Sequence, residues 1–351
     1  MKTMQKWWLS IDRINFTLIL ALGFTGLMLS FSTEKYFSIN RHSIFFLISI
    51  LLLIFLSNLD DKNIRRISLF SFIILIFIML LILFFEYEVK GAKRWLQVLD
   101  FTIQPSEIIK PTFIILTAWC INQSIDQKKF YLILLFIFFL FLISLILLQP
   151  DLGMTVLVSL TFFCQLFIAG LSMYLVFIAL LFIISIAVFS YFIFDHVNSR
   201  VNSFLGGVAG TDTYQIDLSI LAFKNGGLFG KGPGQGILKE KIPDANTDFI
   251  FAVAGEELGY IFCFIIIIII LSIIVRSLLN VLKINNPYKI IAISGLVCSF
   301  GLQCLINIFS SIGLIPTKGM TLPFVSYGGS SMISIALLFG FLLSLTNKNN
   351  S

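Results

Sequence analysis

Charge is the scarcest thing in this chain. Asp, Glu, Lys and Arg together make up 12% of its 351 residues, against roughly a quarter in a typical soluble domain. That is too little to cover a water-facing surface of this size. Histidine is limited to His42 and His196. The five cysteines, Cys120, Cys164, Cys263, Cys298 and Cys304, sit in apolar surroundings and form no C-x-x-C pair. Neither a zinc site nor a disulfide framework fits that inventory. The formal net charge of +6 does not mark a nucleic-acid protein, because the basic residues are dispersed between apolar blocks and form no stripe.

Apolar residues are what the chain has in excess: 58% are hydrophobic, and the mean hydropathy is +1.01. This is the composition of an all-α polytopic membrane protein, a single integral membrane domain over 1–351. The 39 phenylalanines accompany heavy use of Ile, Asn and Lys. They read as a bias toward AT-rich codons and not as an aromatic binding device.

A helix needs about 20 apolar residues to cross a hydrocarbon core about 30 Å thick, so charge-free runs count the spans. They are Ile14–Thr33, His42–Leu59, Ile67–Phe85, Pro111–Ile125, Phe130–Pro150, Leu152–Phe194, Leu258–Val275, Ile290–Thr317 and Gly319–Asn347. The 43-residue run from Leu152 must hold two spans, with Ala169-Gly170-Leu171-Ser172 as the turn between them. About ten transmembrane helices are expected, with both termini on one side. The first run follows Lys2, Lys6 and Arg13 but has no small-x-small cleavage site, so it is expected to stay as an anchor. Outside two long loops, 86–110 and 195–249, the basic residues fall mostly on the side of the termini, which predicts cytoplasmic termini. The 195–249 stretch is then a large extracytoplasmic loop between the seventh and eighth spans.

Four segments carry polar chemistry at the edges of this apolar body. The first runs from Gly91-Ala92-Lys93-Arg94-Trp95 to Gln104-Pro105-Ser106-Glu107-Ile108-Ile109-Lys110-Pro111. Ser106 can cap a helix whose first turn holds Glu107, and Glu107 and Lys110 can pair at i,i+3. That pair is either structural or functional. Trp95 is either an interfacial anchor or a substrate contact. The second segment is the charged turn Gln149-Pro150-Asp151-Leu152-Gly153, where Asp151 is a modest candidate.

The third is glycine-rich, Asn225-Gly-Gly-Leu-Phe-Gly-Lys-Gly-Pro-Gly-Gln-Gly236, and leads through Glu240 and Asp244 to Asn246-Thr247-Asp248-Phe249, with Glu256 and Glu257 beyond. It matches neither G-x-x-x-x-G-K-[ST] nor G-x-G-x-x-G, so a nucleotide site is excluded. What remains is backbone able to approach a ligand or another chain closely. The carboxylates at the mouth of the eighth span suit a general base at Asp248, although Asp248 is equally placed to cap that helix. The fourth segment runs from Asn307 through Pro316-Thr317-Lys318-Gly319 to Ser326-Tyr327-Gly328-Gly329-Ser330-Ser331. Broken backbone at membrane depth is tolerated only where it is buried in protein or lines a cavity. A lone Lys318 there suits an anionic group such as a phosphate, with snorkelling to the surface as the alternative.

Taken together and in this order, the four segments resemble the SEDS family (shape, elongation, division and sporulation), the relatives of FtsW and RodA. Within it, the Pro-Thr-Lys-Gly around Lys318 is similar to the FtsW branch. The resemblance implies a ten-helix SEDS-type fold in the bacterial cytoplasmic (inner) membrane. It implies polymerisation of lipid II into glycan strands, carried on an undecaprenyl pyrophosphate, during septal cell-wall synthesis. Alternatives are elongation-type polymerisation or lipid II flipping. The implied partners are a class B penicillin-binding protein supplying transpeptidation and other division proteins. Asp248 matches the family's essential acidic residue in its H-T-D-F segment, where this chain has Asn246 in place of the usual His. Lys93, Arg94, Trp95, Glu240, Lys318, Ser326, Gly328 and Gly329 match motif positions implied to bind substrate. A divalent cation, Mg or Mn, is a possible cofactor, and no ligand for it is identifiable in the sequence.

Overall fold

The structure is a computed structural model that describes residues 2–33, 36–84, 94–98, 101–125, 129–170, 173–193, 198, 202, 211–317 and 319–347. A short amphipathic helix, α1 (Lys2–Ser10), precedes α2 (Arg13–Thr33), α3 (Tyr36–Ser57) and α4 (Asp61–Phe84). A small antiparallel hairpin follows, β1 (Leu96–Val98) and β2 (Phe101–Ile103), with Leu96 opposite Ile103. Then come α5 (Pro105–Ile125), α6 (Lys129–Leu148), α7 (Leu152–Ile168), α8 (Met173–Ile193), α9 (Thr211–Gly226), α10 (Ile250–Val281), α11 (Pro287–Ser311) and α12 (Gly329–Leu345). A helix occupies every apolar run of the sequence. Among the described residues, seven helices are long and apolar enough to cross a membrane by length and composition, and α7 and α12 are shorter apolar helices of 17 residues.

Burial sorts these helices into an inner and an outer set. In their most apolar stretches, α5 is 67% buried and α11 72%, whereas α4 and α10 are only 28% buried. The outer helices turn Phe70, Ile73, Phe77, Ile268 and Leu271 outward, as expected where lipid replaces water as the neighbour. The inner set joins α5, α7, α11 and α12 face to face, and α12 also packs along α3. Helix starts follow local chemistry. Asp151 accepts a hydrogen bond from the Met154 amide at 3.1 Å to open α7. Asn286 accepts one from Tyr288 at 3.0 Å to open α11, with Pro287 in its first turn. At the other end of the chain, Trp7 of α1 donates its indole N–H to Ser57 at 2.8 Å and packs edge-on to Phe16.

The eighth span begins at Ile250, just after Asp248, with Glu256 and Glu257 inside its first turns as expected, both buried with partners of their own. Two features differ from the sequence expectation. The 195–249 stretch contains a regular helix, α9. The final apolar run is helical only from Gly329 onward. The ten-residue stretch before it folds irregularly against α2, where a Cβ on Gly26 would lie 2.5 Å from the Phe324 carbonyl and 2.7 Å from that of Val325.

Candidate functional site

The turn that presents Asp248 is organised by one carbonyl. Asp244 adopts a left-handed conformation (φ 57°), which Asp tolerates better than most residues. Its carbonyl then accepts hydrogen bonds from the amides of Thr247 (3.1 Å) and Asp248 (3.0 Å) and from the Thr247 hydroxyl (3.2 Å). Helix α10 starts two residues on, behind Phe249, which offers no capping side chain.

Residues 246–248 lie directly against the irregular stretch before α12. The Asn307 side-chain amide donates to the carbonyls of both Asp248 (2.9 Å) and Met320 (2.6 Å). Ser326 donates from its hydroxyl to the Thr247 carbonyl at 2.5 Å and accepts from the Leu322 amide at 2.7 Å. The Tyr327 amide donates to the Asn246 carbonyl at 2.9 Å. Asp248 itself is half-buried, and a Cβ on Gly319 would stand 3.5 Å from its Oδ2. The carboxylate therefore borders the residue that follows Lys318. Lys318 and Lys93 are outside the described residues, as is most of 195–210. Phe324 adds strain, since its φ of 61° is an outlier for a bulky residue and costs about 1–3 kcal/mol. Its burial and its stacking on Phe339 (centroids 6.0 Å apart) oppose that cost.

Two further clusters are built from the first and second sequence segments, and one of them reaches this centre. Arg94 pairs with Asp151 at 3.2 Å, and Gln104 donates to the same carboxylate oxygen at 3.1 Å. The first and second sequence segments thus form a single cluster beside the hairpin, and Trp95 leads directly into β1. Glu107 and Lys110 do pair, at 2.7 Å, but both are buried, and the amine also donates to Gln303 at 2.8 Å. Gln303 in turn donates to the Thr321 carbonyl at 3.1 Å, and the Thr321 hydroxyl meets that of Ser331 at 2.5 Å. Ser106 does not cap α5, because the helix already includes Pro105. Gln303 carried no signal beyond being an isolated amide in an apolar run, one helical turn before Asn307.

Glu256 and Glu257 do not line a mouth with Asp248; they grip the glycine-rich loop. Glu257 accepts from Lys239 (2.8 Å), the Gly234 amide (3.0 Å) and Ser32. Glu256 accepts from the Leu238 amide (3.0 Å) and pairs with Lys231 (3.4 Å). The loop is spliced into α10 itself. At Gly259 (φ 78°, ψ 177°) the helix breaks. The amides of Lys231 and Gly232 take the carbonyls of Glu256 and Glu257, while those of Tyr260 and Ile261 turn to Gly227 and Leu228. A Cβ on Gly230 would collide with the Glu257 carbonyl, and one on Gly259 with the Leu228 carbonyl. Two of the remaining expected site residues are structural in place: Gly328 caps α12, and a Cβ on Gly329 would lie 2.6 Å from the Phe45 ring. Glu240 is exposed on a short 3-10 turn, Leu238–Glu240.

This arrangement has known counterparts. The FtsW/RodA/SpoVE family model, described as "Cell cycle protein", matches residues 5–351. The chain belongs to this family. Among curated relatives, a probable peptidoglycan glycosyltransferase FtsW of Caulobacter vibrioides is 37% identical over 358 aligned residues, 97% of this chain and 90% of the relative. One of Geobacter sulfurreducens is 35% identical over 271 residues, 74% of this chain and 71% of the relative. The fold matches a chain of a peptidoglycan synthase complex with TM-score 0.83 at 22% identity, covering 97% of this chain and 98% of that one. It matches the rod shape determining protein RodA of Thermus thermophilus with TM-score 0.74 at 23% identity, covering 97% of each.

Proposed function

We propose that this chain is a peptidoglycan glycosyltransferase that polymerises lipid II into glycan strands for septal cell-wall synthesis in cell division. The observation that carries the reading is the clasp of 246–248 against 319–327, which sets one half-buried carboxylate beside the segment bearing Lys318. The names of the FtsW relatives support the same activity.

The chemistry follows from the residues. The acceptor sugar hydroxyl attacks the anomeric carbon of the donor, and its proton passes to Asp248 as general base. The new C–O bond forms as the bond to the lipid pyrophosphate breaks, and that leaving group departs with the electron pair. Cationic side chains at Arg94, Lys93 or Lys318 would offset the charge on the pyrophosphate. Arg94 also pairs with Asp151, so its share is that of an already oriented guanidinium. Trp95 and Glu240 are proposed as flanking substrate contacts, whereas Ser326, Gly328 and Gly329 act by shaping the loop. Among the described residues no group of three or more His, Cys, Asp or Glu could hold a metal ion. They do not fit a dedicated metal cage; a Mg²⁺ or Mn²⁺ would arrive with the substrate's phosphates, which is the usual habit of Mg²⁺.

The reading places both termini in the cytoplasm and the Asp248 clasp at the outer face of the inner membrane. A class B penicillin-binding protein and other division proteins would be its partners at the septum. Purified protein with its cognate transpeptidase should convert labelled lipid II into glycan polymer, and an absence of polymer would refute the activity. Orientation has its own test. A cysteine at Glu240, exposed on its turn, should react with an impermeant thiol reagent on spheroplasts, whereas one at the exposed Asn63 should not. The opposite labelling pattern would invert the topology.

A further inference from the structure

A separate cavity with basic walls lies at the ends of α4 and α5 remote from the hairpin. Lys62, Arg65, Arg66 and Leu69 fall at i, i+3, i+4 and i+7 on α4, one face of the helix. With Leu116 and Trp119 of α5 they line a cavity of about 310 Å³. Arg65 is held in place by its guanidinium lying over the Tyr288 ring at 5.4 Å and by donation from Nε to the Asp61 carbonyl at 3.3 Å. The nearby carboxylate of Asp61 is engaged by Lys289 at 3.3 Å. Among the described residues, no acid pairs with Lys62 or Arg66, and both are exposed. Trp119 packs edge-on to Tyr131 at 5.6 Å, so the wall it forms is fixed.

What continues below the cations decides the ligand. Helix α4 has 24 residues, about 36 Å at 1.5 Å per residue, which is longer than the hydrocarbon core. Its first turns therefore stand at headgroup level. The same face carries on through Leu69, Ile73 and Phe77, which are 36%, 56% and 60% exposed. Cations lining one cavity with a fixed indole, with an unbroken apolar track beneath, are complementary to an anionic headgroup that carries acyl chains. A soluble anion would have no use for the track.

We propose that this cavity binds an anionic phospholipid of the cytoplasmic leaflet, its phosphate between Lys62, Arg65 and Arg66 and its chains along Leu69, Ile73 and Phe77. The leaflet rests on the orientation proposed above; the lipid chemistry does not. Basic pockets between helices are a general solution for such headgroups.

The test uses the full-length protein with Trp7, Trp8 and Trp95 replaced by Phe, which leaves Trp119 as the sole tryptophan of the four. In nanodiscs, phosphatidylglycerol with brominated chains should quench Trp119 more strongly than brominated phosphatidylcholine at equal mole fraction. Lys62→Gln and Arg66→Gln should each weaken that preference about fivefold. Lys62→Arg should keep it, as should Lys283→Gln, a cation elsewhere on the same side. Equal quenching by the two lipids would overturn the proposal. So would an equal loss in Lys283→Gln, which would indicate diffuse surface charge. Abolition of the preference by millimolar inorganic phosphate would mark a soluble-anion site instead. Because nanodiscs present both leaflets and no glycan is made, the outcome is independent of both the topology and the polymerase reading.

Discussion

Residues 227–238 and 319–328 are both irregular backbone set into a helical body, and they are secured by opposite chemistry. The first is gripped by two carboxylates, Glu256 and Glu257, which are 0% and 1% exposed and are met by loop amides and by Lys231 and Lys239. The second is held by neutral groups, the amides of Gln303 and Asn307 and the hydroxyl of Ser326. Two acids that look alike in sequence therefore differ in duty from a third. Glu256 and Glu257 are consumed by the fold, whereas Asp248 sits half-buried among uncharged anchors that fix its backbone.

The largest expected effect tests that difference directly. Asp248→Asn keeps the volume and should accumulate normally in the membrane, yet lose about 10²–10⁴ in lipid II polymerisation rate. A near-normal rate would move suspicion to Glu240 or Glu107. Glu257→Gln should show the reverse signature. Removing one partner of a buried pair costs about 3–5 kcal/mol, so the thermal unfolding midpoint should fall and activity should fail only as folded protein is lost. Normal unfolding with no polymer would give Glu257 a chemical role and break the comparison. Gly259→Ala probes the splice, since both its positive φ and the neighbouring Leu228 carbonyl oppose a Cβ. Strain and overpacking each cost about 1–3 kcal/mol, visible as a lower midpoint in the same assay. Smallest is Ser326→Ala, which removes a partner from both the Thr247 carbonyl and the Leu322 amide. It should cost about 1–2 kcal/mol and reduce kcat modestly through loosened placement of Asp248, with expression unchanged.

The helical body was legible because its signal is local: apolar runs of spanning length declare themselves one at a time. Asp248 and the Ser326–Gly329 stretch stand out in the sequence as short polar motifs, and the structure lays 246–248 against 319–327. What the residues alone could not show is pairing across distance. Arg94 and Asp151 were separate anomalies in the sequence, and nothing in their spacing indicates the ion pair. Glu256 and Glu257 were grouped with Asp248 because they are near it in the chain, whereas their side chains turn toward a loop some twenty residues earlier. Gln303 escaped attention because a single amide in an apolar helix has no periodic partner. Its meaning comes from Lys110, 193 positions away.

The splice at Gly259 makes the glycine-rich loop a structural member of α10. Were the loop to lift away, the carbonyls of Glu256 and Glu257 and the amides of Tyr260 and Ile261 would all lose their partners at once. They could pair with one another only after Gly259 rotates from its left-handed conformation (φ 78°) to a helical one. Each buried backbone group left without a partner costs about 1–3 kcal/mol, so partial detachment is less favourable than either the closed or the fully released state. Opening should therefore be all-or-none, and the amide protons of Lys231, Gly232, Tyr260 and Ile261 should exchange with deuterium at one common rate, like the links of a single clasp.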